Sequence, residues 1–144
     1  MMTLRGNRIL IADDDEFSGS LLQNALRAGG PEVFLVQNGV EALKIVDRGR
    51  FDVLITDIDM PGKDGVALIK EIRQKEELEN APRPLPIIAM SGGGDDELTN
   101  AVRAGANCAL AKPIDLALID WLLKYLDSGP FESVPTEAVA QGML

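Results

Sequence analysis

The feature that most constrains this chain is a regular alternation between short apolar runs and longer stretches with helical spacing. The apolar runs lie at residues 8–12, 33–36, 53–56, 87–90 and 108–111. Short and nearly continuous apolar runs are typical of parallel strands that are buried on both faces. An amphipathic stretch follows each run, so the pattern predicts five strand–helix units. We therefore predict an α/β fold in which helices cover both sides of one parallel sheet.

Turn and capping residues indicate where several helices begin and end. Asp15 is expected to cap the first helix, which starts at Glu16. The apolar positions of that helix are Phe17, Leu21, Leu22, Ala25 and Leu26. Asp95 or Asp96 is expected to cap the fourth helix, and residues 76–86, charged and then rich in proline, are predicted to form a surface connection. The last helix is predicted to open at Asp115 and to continue through Leu116, Ile119, Leu122, Leu123 and Leu126.

The composition excludes several kinds of site and partner. The 144 residues include 14 Lys+Arg and 23 Asp+Glu, a formal charge of −9, so repulsion from nucleic acid and anionic membranes is expected. No run approaches the roughly 18 apolar residues of a membrane-spanning helix. The chain has no histidine, and its single cysteine, Cys108, excludes an internal disulfide and a cysteine-based zinc cluster. We therefore expect a soluble cytoplasmic protein in which oxygen atoms bind any metal.

Charged or hydroxyl side chains that could form a site follow four of the five predicted strands. They are Asp13 to Asp15 after the first, Asp57 after the third, Ser91 after the fourth and Lys112 after the fifth. In a doubly wound sheet of order 2-1-3-4-5, strands 1 and 3 are neighbours and ligands bind beyond the carboxyl ends of the strands. The acidic cluster and Asp57 would then share one crevice. Because clustered carboxylates repel one another, a hard cation with oxygen ligands is expected there, and Mg²⁺ fits best.

These segments together resemble the receiver domain of two-component response regulators. The resemblance rests on residues 9–15, 52–65, 86–91 and 104–113, and it covers about residues 7–127. It implies a flavodoxin-like (β/α)5 fold. It also implies that residues 7–128 form the receiver domain, that residues 1–6 form a short N-terminal extension, and that residues 129–144 form a flexible tail.

The resemblance assigns a role to each of the site residues. Asp57 would be the phosphoacceptor, the Ser91 hydroxyl would hydrogen-bond the phosphoryl group, and Lys112 would pair with another phosphoryl oxygen. The implied peptide bond between Lys112 and Pro113 is cis.

The resemblance implies a bound Mg²⁺ as well. Asp14 would be a direct ligand, and Asp13 would act mainly through a coordinated water molecule. Asp57 and the backbone carbonyl of Asp59 would complete the protein ligands. The side chain of Asp59 therefore has no implied role in binding the metal.

The implied function is that of a single-domain response regulator that catalyses its own phosphorylation and dephosphorylation. A histidine kinase or a histidine phosphotransfer protein would supply the phosphoryl group to Asp57. The chain would signal as a monomer or weak dimer, through contact with a downstream protein that the sequence does not identify. Neither nucleic acid binding nor membrane insertion is expected.

The chain departs from the receiver pattern at Ala109, where receivers usually have Tyr or Phe. Either the signal passes through the fourth helix and the loop before it, or Ala109 leaves a pocket for a side chain of a partner. Gly93 and Asp59 flank the site and are expected to help set the rate of dephosphorylation.

Two other functions stay open. One is a receiver-like scaffold that works without phosphorylation, which the loss of the aromatic residue at position 109 favours. The other is a Mg²⁺-dependent phosphohydrolase, because Asp57-Ile58-Asp59 also matches the Asp-x-Asp motif of haloacid-dehalogenase enzymes.

Overall fold

The computed structural model describes residues 7–115 together with residues 117, 118, 121 and 124. Within these residues the strands are β1 (Arg8–Ala12), β2 (Glu32–Val36), β3 (Val53–Asp57), β4 (Ile87–Ser91) and β5 (Cys108–Ala111). The helices are α1 (Glu16–Arg27), α2 (Gly39–Arg48), α3 (Gly65–Leu78) and α4 (Asp95–Ala104). The sheet is parallel in the order β2-β1-β3-β4-β5, which confirms the predicted doubly wound, flavodoxin-like fold.

The predicted last helix is described at only a few positions. Ala117, Leu118, Trp121 and Lys124 are helical. All five apolar positions predicted for that helix lie outside the described residues, and so do the extension at residues 1–6 and the tail at residues 129–144. Within the described part of the chain, no helix is long and apolar enough to cross a bilayer.

The apolar strands separate two hydrophobic clusters, one on each face of the sheet. Ile9 and Ile11 of β1 face α1 and pack with Leu22 and Leu26, together with Leu118. Leu10 and Ala12 of the same strand belong to the opposite cluster, which the helices α2, α3 and α4 cover. Because successive side chains of a strand point to opposite faces, burial on both faces explains why the strand sequences are nearly continuously apolar.

The register of the sheet places the ends of the strands together. Ala12 pairs with Thr56, so the next residues, Asp13 and Asp57, lie at the same level on neighbouring strands. Ser91 pairs with Ala111, which places Lys112 one residue beyond the end of β4. The polar residues singled out from the sequence therefore lie along one edge of the sheet.

The helix boundaries confirm one predicted cap and correct another. The Asp15 side chain accepts hydrogen bonds from the backbone N–H groups of Phe17 and Ser18, as a cap should. The prediction that Asp95 or Asp96 caps α4 is wrong, because the N-cap residue is Gly94, without a side-chain cap bond. Both aspartates lie instead in the first turn of α4, where a negative charge is favourable beside the helix dipole.

Two further predictions from the helical pattern need correction. The surface connection expected from residue 76 begins later, because α3 continues to Leu78. Of the apolar positions predicted for α1, Phe17 is 74% exposed and Leu21 is 57% exposed. The buried stripe of α1 is narrower and consists of Gly19, Leu22 and Leu26.

Candidate functional site

Three carboxylates meet where β1 and β3 end. Asp13 and Asp57 are only 1% and 5% exposed, whereas Asp14 is exposed. Each of these three side chains has a carboxylate oxygen that lies within 4.8 Å of an oxygen of the other two. The structure thus brings together the acidic residues that the sequence placed at the ends of neighbouring strands.

Lys112 links the two buried carboxylates. Its Nζ donates hydrogen bonds to Oδ2 of Asp13 and to Oδ2 of Asp57, each at 3.1 Å. The backbone N–H of Lys112 donates to the carbonyl of Ser91 at 2.7 Å, which ties the residue to the end of β4. The bond from Lys112 to Pro113 is cis, as the resemblance implied.

The backbone of Asp57 is held by close packing against the start of α3. The N–H of Gly65 donates to the carbonyl of Ile58 at 2.8 Å. A Cβ atom at position 65 would overlap the carbonyl oxygen of Asp57, so glycine is the residue that permits this approach. Asp64 caps α3 by accepting a hydrogen bond from the N–H of Ala67. The position of Asp57 is therefore fixed by main-chain contacts as well as by Lys112.

The charges of the site are only partly balanced. Burial raises the pKa of Asp57 to about 6, although the hydrogen bond and charge of Lys112 oppose this shift, and the charge of Asp13 adds to it. Burial lowers the pKa of Lys112, but hydrogen bonds and charges from Asp57 and Asp13 outweigh that effect and raise it overall. One ammonium group thus faces several carboxylates, and the site favours a further positive charge.

The donor atoms of the cluster fit Mg²⁺. Mg²⁺ prefers oxygen ligands at about 2.0–2.1 Å in an octahedron, so its ligands lie about 2.9–4.2 Å apart. The three carboxylates lie within 4.8 Å of one another, so small side-chain movements would bring them to these distances. Exposed Asp14 leaves the outer side of the cluster open to water, and Mg²⁺ usually keeps several water ligands. The resemblance implies that the backbone carbonyl of Asp59 is a further ligand. The side chain of Asp59 is exposed, and its backbone N–H donates a hydrogen bond to Oδ1 of Asp57 at 3.3 Å.

Ser91 is fully buried at the end of β4, where its hydroxyl has two partners. Its Oγ accepts a hydrogen bond from the N–H of Gly93 at 2.9 Å and donates one to Oε2 of Glu97. Sequence reasoning did not identify Glu97. The available signal was an acidic residue in the first turn of a helix that begins directly after three glycines.

Ala109 is fully buried in the apolar cluster that also contains Leu98 and Ala101 of α4. It pairs with Ala89 of β4 in the sheet. The side chain of Ala109 is therefore not accessible to a partner in this conformation.

Comparison with known proteins identifies the family of this fold and site. Residues 9–124 match the family model of the response regulator receiver domain. The chain belongs to the receiver domain family. This receiver is 36% identical over 109 residues to the DNA-binding transcriptional regulator NtrC of Escherichia coli, an alignment that covers 75% of this chain and 22% of NtrC.

A second relative is a response regulator receiver protein of Anaeromyxobacter, 36% identical over 107 residues, which are 74% of this chain and 43% of that protein. The chain thus spans less than half the length of these two relatives. Among solved structures, the receiver domain of the Arabidopsis thaliana histidine kinase CKI1, complexed with Mg²⁺ and BeF₃⁻, is similar. Its TM-score is 0.71 at 32% identity, covering 85% of this chain and 92% of that one. The chain is therefore a receiver domain of two-component signalling.

Proposed function

We propose that Asp57 accepts a phosphoryl group from a phosphohistidine of a histidine kinase or a histidine phosphotransfer protein, in a reaction that requires Mg²⁺. The observation that carries this proposal is the position of the Asp57 carboxylate, buried beside Asp13 and hydrogen-bonded to Lys112. A buried nucleophile beside a fixed cation and a cluster of acidic metal ligands suits phosphoryl transfer, which depends mainly on alignment and charge neutralisation.

In the proposed step, an oxygen of the Asp57 carboxylate forms a bond to phosphorus. The phosphorus–nitrogen bond of the phosphohistidine breaks, and its electron pair stays with the imidazole nitrogen. The Lys112 ammonium pairs with one phosphoryl oxygen, and the Ser91 hydroxyl donates a hydrogen bond to another. Mg²⁺, held by Asp14, Asp57, the carbonyl of Asp59 and, through water, Asp13, would add positive charge beside these oxygens.

The family supports both Mg²⁺ and a histidine kinase as partner, and the carboxylate cluster supports Mg²⁺. The similar receiver domain of Arabidopsis thaliana belongs to a histidine kinase and was solved with Mg²⁺ and BeF₃⁻. This chain contributes the three clustered carboxylates that such a cation needs. Because these 144 residues contain no histidine, the phosphohistidine must lie outside them.

The rest of the proposal concerns how the signal leaves the site. The phosphorylated receiver acts as a monomer or weak dimer in the cytoplasm and signals by contact with a downstream protein. Phosphorylation adds about one further negative charge and new acceptor oxygens at Asp57, which shifts the balance between two conformations.

The test is phosphorylation by a small donor such as phosphoramidate, followed by mass spectrometry of the intact chain. We expect the mass increase of one phosphoryl group with MgCl₂ and not with EDTA, and no increase in Asp57→Asn. Phosphorylation of Asp57→Asn at the wild-type level would contradict the proposed acceptor. Failure of the wild type to react, or to bind beryllofluoride with Mg²⁺, would favour the scaffold alternative, and repeated turnover of phosphate esters would favour the phosphohydrolase.

A further inference from the structure

The hydroxyl group of Ser91 is already engaged by a neighbouring carboxylate. It donates its hydrogen bond to Oε2 of Glu97, in the first turn of α4, and accepts one from the N–H of Gly93. A serine hydroxyl has a single proton to donate. Any other acceptor that binds the Ser91 proton must therefore displace Glu97.

The loop before α4 makes room for this contact at one particular glycine. A Cβ atom at Gly93 would overlap the Glu97 carboxylate, which means that the carboxylate lies directly over the backbone at this position. In the described structure, a Cβ atom at Gly92 or Gly94 would meet nothing within 4 Å. The three successive glycines are thus not equivalent, and Gly93 is the one that lets Glu97 reach Ser91.

The Glu97 carboxylate also affects Asp59, which lies just beyond the end of β3. The pKa of Asp59 is raised, first by partial loss of hydration and then by the charge of Glu97 and a hydrogen bond with it. Glu97 therefore interacts with Asp59 as well as with Ser91, and these two residues lie near the ends of two neighbouring strands.

We propose that Glu97 is a built-in competitor for the Ser91 hydroxyl, which holds the receiver in its unphosphorylated conformation until a phosphoryl oxygen takes its place. This inference rests on the function proposed above. A hydrogen bond from a hydroxyl to a carboxylate is charge-assisted and stronger than one between neutral groups. The phosphoryl group gains its own bond to Ser91 only when this one is broken, so Glu97 lowers the population of the active conformation.

Release of Glu97 also transmits the change. Glu97 is part of α4, so loss of its bond frees the first turn of that helix. This route from Ser91 to α4 needs no aromatic side chain at position 109, where the chain has a buried alanine. It corresponds to the first of the two alternatives that the sequence left open at Ala109.

The experiment measures the affinity for beryllofluoride in the presence of MgCl₂ by isothermal titration calorimetry. We expect Glu97→Ala to bind about tenfold more tightly than the wild type, because one charge-assisted hydrogen bond no longer has to be broken. Gly93→Ala should have an effect in the same direction, because its methyl group displaces the Glu97 carboxylate. The matched controls are Asp96→Asn, which removes a charge from the same helical turn, and Gly92→Ala, and both should stay within about twofold of the wild type.

A double-mutant cycle with Ser91→Ala separates competition for the hydroxyl from simple charge repulsion. In the Ser91→Ala background, Glu97→Ala should no longer tighten binding. The inference is overturned if the gain persists there undiminished, or if Glu97→Ala and Gly93→Ala, both folded by circular dichroism, bind as the wild type does. Failure of the wild type itself to bind would instead contradict the proposed function, so the two failures are distinguishable.

Discussion

The two ends of the sheet use charged side chains in opposite ways. At the amino end, the Arg8 guanidinium lies over the rings of Phe34 and Phe51, with its central carbon 5.1 and 4.9 Å from the ring centres. Arg73 donates to the carbonyl of Gly105 and to the side chain of Asn107, at the loop that leads into β5. Both arginines hold parts of the fold together.

At the carboxyl end, the charges are concentrated and only partly compensated. Asp13 and Asp57 are buried around the single ammonium of Lys112, with Asp14 beside them. Burial of carboxylates costs free energy unless positive charge compensates it. The amino end is therefore organised for stability. The carboxyl end keeps an excess of negative charge that a bound cation would neutralise.

The largest effect that follows from this difference is expected for Lys112→Ala. Removal of the ammonium leaves Asp13 and Asp57 buried without their partner, so unfolding in EDTA at pH 7.5 should become easier by about 3 kcal/mol. Because Mg²⁺ supplies positive charge to the same carboxylates, it should restore more stability to this variant than to the wild type. Urea unfolding with EDTA and with MgCl₂ measures both quantities. If the free energy of unfolding fell by less than about 1 kcal/mol and Mg²⁺ gave no additional stabilisation, the carboxyl end would not carry this excess of negative charge.

A second prediction concerns pH and the raised pKa of Asp57. This pKa is about 6 in the folded protein, whereas the ordinary value for an aspartate, expected in the unfolded chain, is 3.8. The folded state therefore binds the proton more tightly. The ionised carboxylate therefore costs stability, and this cost grows as the pH rises from about 4 to about 6. In EDTA at pH 7.5, Asp57→Asn should be more stable than the wild type by about 2 kcal/mol.

The pH series provides the control for that prediction. The advantage of Asp57→Asn should shrink between pH 6 and pH 4 and vanish below pH 4, where the wild-type carboxyl is protonated in both states. Unfolding midpoints across this range measure it. An advantage that increases as the pH falls would have the wrong sign and would contradict the assignment of the cost to Asp57.

The carboxyl end of the sheet was also the part of the molecule that could be predicted most completely from sequence. Parallel strands bring their carboxyl ends to one edge, so the order of the strands was sufficient to place Asp13 and Asp57 together, with Lys112 at the same edge. The cap at Asp15 was predictable for a similar reason, because it depends on residues that are adjacent in the chain.

The contacts that sequence reasoning missed depend on how a helix is rotated or how a loop is bent. The spacing of Phe17 and Leu21 fits a buried stripe on α1, but the rotation of the helix exposes both residues. The contact between Ser91 and Glu97 requires the carboxylate to fold over Gly93, and no residue pattern specifies that conformation. Local signals therefore predicted the strand ends and missed the side chain that lies beside them.

The third prediction separates binding from stability within the carboxyl end. Asp14 is exposed, so Asp14→Asn should change the free energy of unfolding in EDTA by less than about 0.5 kcal/mol. The same change removes a charged ligand, so the affinity for Mg²⁺ should fall about tenfold. Titration calorimetry with MgCl₂ alone measures the affinity. Unchanged Mg²⁺ affinity would remove Asp14 from the proposed set of ligands.

The smallest effect is expected at the amino end, for Arg8→Ala. This change removes a cation–π contact with two rings and the packing of the aliphatic part of the side chain, so stability should fall by about 1 kcal/mol. The affinities for Mg²⁺ and for beryllofluoride should stay at the wild-type values, because Arg8 lies at the opposite end of β1 from Asp13. If Arg8→Ala weakened Mg²⁺ binding as much as Asp14→Asn does, the two ends would be coupled through β1, and the division between a stabilising end and a binding end would be wrong.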